Sequence, residues 1–115
     1  MARRAVDAVI WGAPAVTLDM MRQAYLRDGK AKYNDIIWWP KGSDWMNQSL
    51  DADTSVRYLY FFCNTKSDGP VVVEVPNGVP ESHFYGTLMD AWQVPIVDLG
   101  LVNKGGKYLI LPPDY

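Results

Sequence analysis

The sequence predicts an α+β protein, an N-terminal helical hairpin packed on an antiparallel β-sheet. Two observations carry this. Apolar residues up to about residue 28 recur at helical spacing, and from about residue 33 onward short β-branched and aromatic runs alternate with Gly and Pro turns. Helices that precede a run of strands, rather than alternating with them, argue for α+β. The 115 residues are read as one domain, with helices over about 2–28 and a β-rich part over about 33–115.

The first helix is expected over residues 2–12, where Ala5, Val6, Val9 and Ile10 share a stripe and Gly12 and Pro14 punctuate the end. Thr17 is placed to cap a second helix over about 18–28. Its face is Leu18, Met21, Ala24 and Tyr25, with Asp19 in the first turn and Gly29 just past the end. Residues 33–40 read as a short strand stopped by Pro40. Residues 41–53 read as a polar loop anchored by Trp45 and Met46. Val56 to Cys63, with Tyr58, Tyr60, Phe61 and Phe62, is a strong strand signal, and Val71 to Val75 is a second. The Ser67–Pro70 turn between them predicts an antiparallel hairpin. Phe84–Met89 and Lys107–Leu111 are further strands, the last stopped by Pro112 and Pro113.

Composition narrows the function. Apolar residues make up 49% and charged residues 21%, close to globular averages, which argues against disorder over the whole chain. The net charge of −2, with Arg3-Arg4 as the sole basic pair, does not suit a nucleic-acid backbone. Apolar runs such as Val71-Val72-Val73 fall far short of the ~18 residues of a membrane span. No nucleic-acid or membrane partner is expected. The single Cys63 forms no intrachain disulfide, which is compatible with the cytoplasm; a periplasmic location would follow if a leader had been removed.

Chemistry-bearing motifs are sparse. His83 is the single histidine and has no Cys beside it, and Glu74, Glu81 and Asp90 lie at no ligand spacing, so no cofactor and no metal site is expected. Ser43, Ser55, Ser67 and Ser82 sit in no nucleophile elbow. Gly105-Gly106 reads as a tight turn, because a phosphate loop needs more glycines and a following helix. Cys63, inside the most apolar strand, is expected to be buried and inert. Two clusters are more suggestive. Asp53 stands at a strand entrance, and Arg57 is set in an apolar strand where an inward side chain needs a carboxylate; Asp90 is the favoured partner. Asp90-Ala91-Trp92-Gln93 mixes a charge, an aromatic platform and an amide, as polar-ligand sites do. The candidate ligand-binding residues are therefore Asp53, Arg57, His83, Asp90, Trp92 and Gln93. Each also has a purely structural reading: an ion pair that fixes the fold, or a turn whose Asp and Gln satisfy backbone groups.

Several segments taken together resemble a bacterial family, the domain of unknown function 1254. They are Trp11-Gly12-x-Pro14, Tyr33-Asn34-Asp35, Thr54-Ser55-Val56-Arg57-Tyr58, Gly69 to Pro76, Gly86-Thr87-x-x-Asp90-Ala91-Trp92-Gln93-Val94-Pro95, and Gly105-Gly106-Lys107-Tyr108-Leu109-x-Leu111-Pro112-Pro113. The resemblance implies a jelly-roll-like sheet, here a partial sandwich, and brings no reaction with it. This chain has Asp53 where the family usually has Asn, a shorter loop over residues 99–104, and an end at Tyr115 where members continue with more strands, so it looks truncated. Open strand edges, with five Trp and seven Tyr to bury, lead to the expectation of an uncharacterised assembly or binding module that pairs with itself or with a companion subunit. The alternative is a hydrolase-like enzyme, or a binding domain for a small polar or carbohydrate ligand held by Asp90, Trp92 and Arg57.

Overall fold

A computed structural model describes residues 2–42, 53–80 and 83–115. The expected anchors Trp45 and Met46, with Ser43, Glu81 and Ser82, lie outside the described residues. The chain is an α+β mix, an N-terminal helix followed by small antiparallel ladders.

Helix α1 runs without interruption over Ala2–Gln23, with Pro14 inside it, and continues as a π-helical turn over Ala24–Asp28. The expected helical hairpin is thus a single helix, and Thr17 lies within it rather than capping a second one. Gly12 and Pro14 are local break signals, but the flanking alanines at 2, 5, 8, 13 and 15 are the strongest helix formers. Pro14 still leaves the Ile10 carbonyl without its usual donor four residues on. The helical stretch ends where the Gly29 N–H donates to the Ala24 carbonyl at 3.1 Å and Lys30 takes a left-handed φ of 55°. An Asp19 clip secures the last α turn: Arg22 Nε donates to Asp19 Oδ1 at 2.8 Å and Gln23 Nε2 to Oδ2 at 2.6 Å. The Arg22 hydrogen bond, followed by that of Gln23, holds the Asp19 carboxyl below its ordinary value.

Residues 32–35 form a turn in which the Asp35 carboxylate accepts the Lys32 N–H, so the strand read over 33–40 shrinks to β1, Ile37–Trp38. It pairs antiparallel with β2, Leu59–Tyr60, in the register Ile37↔Tyr60 and Trp38↔Leu59. The expected hairpin between 56–63 and 71–75 does not form. A one-turn helix α2, Thr65–Asp68, capped by the Asn64 side chain and ended by Gly69 at φ 74°, redirects the chain. Strand β3, Val71–Val75, pairs instead with β6, Gly106–Ile110, from Val71↔Ile110 to Val75↔Gly106. Strands β4, Gly86–Met89, and β5, Pro95–Leu99, form a hairpin with a bulge at Leu88/Met89. A short 3₁₀ turn over Leu101–Asn103 leads from β5 toward β6.

Gly105, just before β6, is required by contact, not by dihedral angle. A Cβ on Gly105 would stand 2.3 Å from the Val75 carbonyl oxygen. The Gly105 N–H also donates to Asn77 Oδ1 at 2.9 Å, tying β6 to the exit of β3.

Among the described residues, two small groups of side chains hold these parts. Among the described residues, Val75 and Leu99 are the fully buried apolar ones. The second is an aromatic cluster joining the π-helical turn to β1 and β2. Tyr25 lies 5.6 Å from Trp39, 5.8 Å from Phe62 and 6.2 Å from Tyr60, and Trp39 meets Tyr60 edge-on at 5.6 Å. Burial, then the neighbouring Tyr60, pushes the Tyr25 hydroxyl up to about 12. A folded value above the unfolded one, about 10, means that its contribution is complete below pH ~10 and lost as pH rises through about 12. Alkaline titration is therefore expected to show a delayed tyrosinate absorbance step coinciding with loss of the near-ultraviolet dichroism of this cluster; for Tyr25→Phe that step is expected to shrink and to leave the part from Tyr60, whose hydroxyl burial also raises.

Candidate functional site

The Asp90–Pro95 segment is the connection between β4 and β5, and its polar groups fold the turn itself. The Asp90 N–H donates to the Val94 carbonyl at 3.0 Å, and the Gln93 N–H to the Asp90 carbonyl at 3.0 Å. Asp90 Oδ1 accepts the N–H groups of Trp92 at 2.8 Å and Val94 at 2.9 Å. This is a short hairpin loop in which a hydrogen-bonded turn ends in a left-handed residue, here Gln93 at φ 61°. A side chain with a Cβ is disfavoured there by roughly 1 kcal/mol, and the Gln93 side chain answers with a long-range contact.

That contact is to helix α1. Gln93 Nε2 donates to the Pro14 carbonyl at 2.8 Å, and the Trp92 ring lies 5.1 Å from Trp11 at a tilt of 45°. The turn thus clasps the helix where Pro14 has weakened it. Two motifs that the sequence shows separately, Trp11-Gly12-x-Pro14 and Asp90 to Pro95, meet in space. Reading the sequence identified all four residues and missed their pairing, since nothing local in either segment reports on a partner 79 residues away.

The other candidates lie apart from this clasp. Arg57 is exposed and donates to the Pro40 carbonyl; its expected ion pair with Asp90 is absent, because Arg57 lies in the irregular segment before β2 and reaches Pro40, and the Asp90 carboxylate is committed to its own turn. Asp53 accepts the Ser55 N–H at 2.7 Å and hydroxyl at 2.6 Å, and these bonds, the hydroxyl one first, hold its carboxyl below the ordinary value. His83 is exposed in the segment that leads into β4. Among the described residues, no three His, Cys, Asp or Glu side chains gather where a metal ion would sit.

Cys63 is half-buried rather than fully so. Burial is the first cause of a thiol value above the ordinary one, with the nearby Asp68 adding to it. At neutral pH the native protein is expected to react with a thiol reagent at least ~10-fold more slowly than the urea-unfolded chain; equal rates would contradict this placement.

No helix among the described residues is long and apolar enough to cross a membrane. No curated protein and no solved structure matches the chain. A family model described as "Protein of unknown function (DUF1254)" matches residues 33–115, which takes in β1 to β6 and the Asp90–Pro95 clasp and leaves out helix α1. The chain belongs to this DUF1254 family.

Proposed function

We propose that this chain is an assembly module, a β-rich unit that completes its apolar surfaces against another polypeptide, in the first place a second copy of itself. The observation that carries this reading is burial. A globular chain of 13.0 kDa exposes about 6,300 Å², whereas this one exposes 9358 Å². Its radius of gyration of 16.2 Å compares with about 13 Å for a compact chain of this length. Tryptophans 11 and 38 remain 68% and 61% exposed. Such aromatic surface is typical of protein interfaces.

The ladders support the same reading. Among the described residues each is two-stranded, and an isolated pair of strands is marginal in water. A partner that lays strands along their edges would complete a jelly-roll-like sandwich. The rival reading, a small polar ligand or a hydrolytic substrate held by Asp90, Trp92 and Arg57, needs these groups to face one space. Here Asp90 and Trp92 serve the clasp, and Arg57 serves Pro40.

Light scattering after size exclusion tests the proposal. The expected mass is a multiple of 13.0 kDa at micromolar concentration. A stable monomer would overturn self-assembly.

A further inference from the structure

Helix α1 has two apolar faces, and the fold uses one of them. Trp11, Leu18, Arg22 and Tyr25 lie toward the body of the chain, where Trp11 meets Trp92, Arg22 donates to Tyr33 and Tyr25 enters the aromatic cluster. On the far side lie Ala2, Val6, Val9, Ala13, Val16 and Met20, every one of them exposed. Val6 is 56% accessible, Val9 70%, Val16 58% and Met20 67%. Their spacing alternates four and three residues, the a/d pattern of a two-helix seam, sustained over the whole helix. Pro14 is off this stripe, so its ring does not interrupt the seam.

We propose that this stripe is the self-association surface of the protein. Two copies of helix α1 pack it antiparallel about a two-fold axis that crosses the stripe at the level of residue 11. The inference rests on the assembly reading above and names the surface and the occupant.

Three observations select a second, antiparallel copy. The first is size complementarity. The stripe is nearly symmetric about residue 11, so an antiparallel partner sets Ala2 against Met20, Val6 against Val16 and Val9 against Ala13. In the outer and inner layers a small alanine meets a larger residue, and in the middle layer two valines meet. A parallel pair would stack Met20 on Met20 and leave Ala13 against Ala13. The second is charge. The first turn carries Arg3 and Arg4 and no acid, whereas near the other end Asp19 is paired with Arg22, which leaves that end balanced. A parallel pair gathers four arginines at one end. An antiparallel pair separates these arginines and sets each pair beside the C-terminal end of the other helix, which carries the negative pole of its dipole. The third is area. The chain exposes about 3,000 Å² beyond a globular chain of its mass, and a stable interface takes about 800 Å² from each partner. A single helical seam is within that reserve. Self-complementarity of one patch is also the requirement for a closed two-fold dimer.

The test has two arms, both on the full chain. In the first, Val9→Glu places a carboxylate in the seam, and Ala8→Glu places the same group off it. Analytical ultracentrifugation is expected to find wild type and Ala8→Glu dimeric and to find the Val9→Glu dissociation constant raised at least ~100-fold, with unchanged far-ultraviolet dichroism. In the second, Val6→Cys and Val16→Cys are each made in a Cys63→Ser background. In an antiparallel pair, position 6 of one copy faces position 16 of the other, while like positions stand about 15 Å apart, beyond disulfide reach. Oxidation of the mixed variants is expected to give a cross-linked heterodimer, and oxidation of either alone is expected to give none. A wild-type dimer that Val9→Glu leaves intact would overturn the helix surface and leave the assembly reading standing. Cross-linking of Val6→Cys with itself would overturn the antiparallel arrangement. A monomeric wild type would overturn both proposals.

Discussion

Gly105→Ala is expected to disrupt the β3–β6 ladder. The added Cβ meets backbone atoms: the Val75 carbonyl oxygen at 2.3 Å, the Pro76 carbonyl carbon at 2.5 Å and the Asn77 nitrogen at 2.6 Å. None of these is the end of a flexible side chain, so the strands themselves must separate. Overpacking in a closed site costs ~1–3 kcal/mol when side chains can yield, and more is expected here because only backbone can. Domains of this size have ~5–15 kcal/mol in total. The substitution also displaces the Gly105 N–H from Asn77. Urea denaturation followed by far-ultraviolet dichroism should show a midpoint shift equivalent to more than ~3 kcal/mol, or no folded baseline. Gly12→Ala, at an open helical site, is the control, and a gain of up to ~1 kcal/mol is expected there. Equal behaviour of the two variants would refute the close-contact argument.

Trp92→Ala is expected to release helix α1 from the β4–β5 turn. Trp92 is 40% exposed, so its burial is partial, and the loss is set near ~2 kcal/mol from apolar area together with the ring contact to Trp11. The four-state cycle with Trp11→Ala isolates the contact itself, with an expected coupling of ~0.5–1.5 kcal/mol. Gln93→Gly tests the other half of the clasp in two opposing directions. It relieves the left-handed φ of 61° and removes the bond to the Pro14 carbonyl. If the bond outweighs the strain, Gln93→Gly destabilises and speeds proteolytic cutting near Pro14; a stabilised variant would mean that the amide bond contributes little.

These two sites mark the boundary of what the residues reveal in one dimension. The strands Val71–Val75 and Gly106–Ile110 are legible from their Val, Tyr, Leu and Ile content and from the prolines that follow them. That they pair with each other is not legible, because strand propensity describes a half-buried pleated surface and not its neighbour. The nearer strand signal around Val56–Cys63 was the natural partner for Val71–Val75, and α2 with its Gly69 turn sends the chain elsewhere. Gly12 and Pro14 signal a break because punctuation rules are local, and the surrounding alanines prevail. The α+β class survives all of this, since it depends on the order of elements and not on their pairing. At the site, Asp90, Trp92 and Gln93 drew notice for their chemistry, and their contacts with backbone and helix explain the same composition without a ligand. Arg57 misled because an apolar neighbourhood in sequence was taken for one in space; the side chain is exposed.

The nested register of the last four strands has a consequence for the order in which the chain takes shape. Strands β4 and β5 join through a tight turn and can form as soon as both exist. Strand β3 precedes them and waits for β6, which follows them. During synthesis the Val71-Val72-Val73-Glu74-Val75 segment therefore emerges with no partner until residue 110 has been made. A run of four valines with a single charge is the kind of segment that recruits identical strands from neighbouring nascent chains. Glu74 is then more than half of a surface ion pair with Lys107 at 3.3 Å. On the ribosome, before Lys107 exists, its unneutralised charge works against the stacking of one nascent β3 on the next.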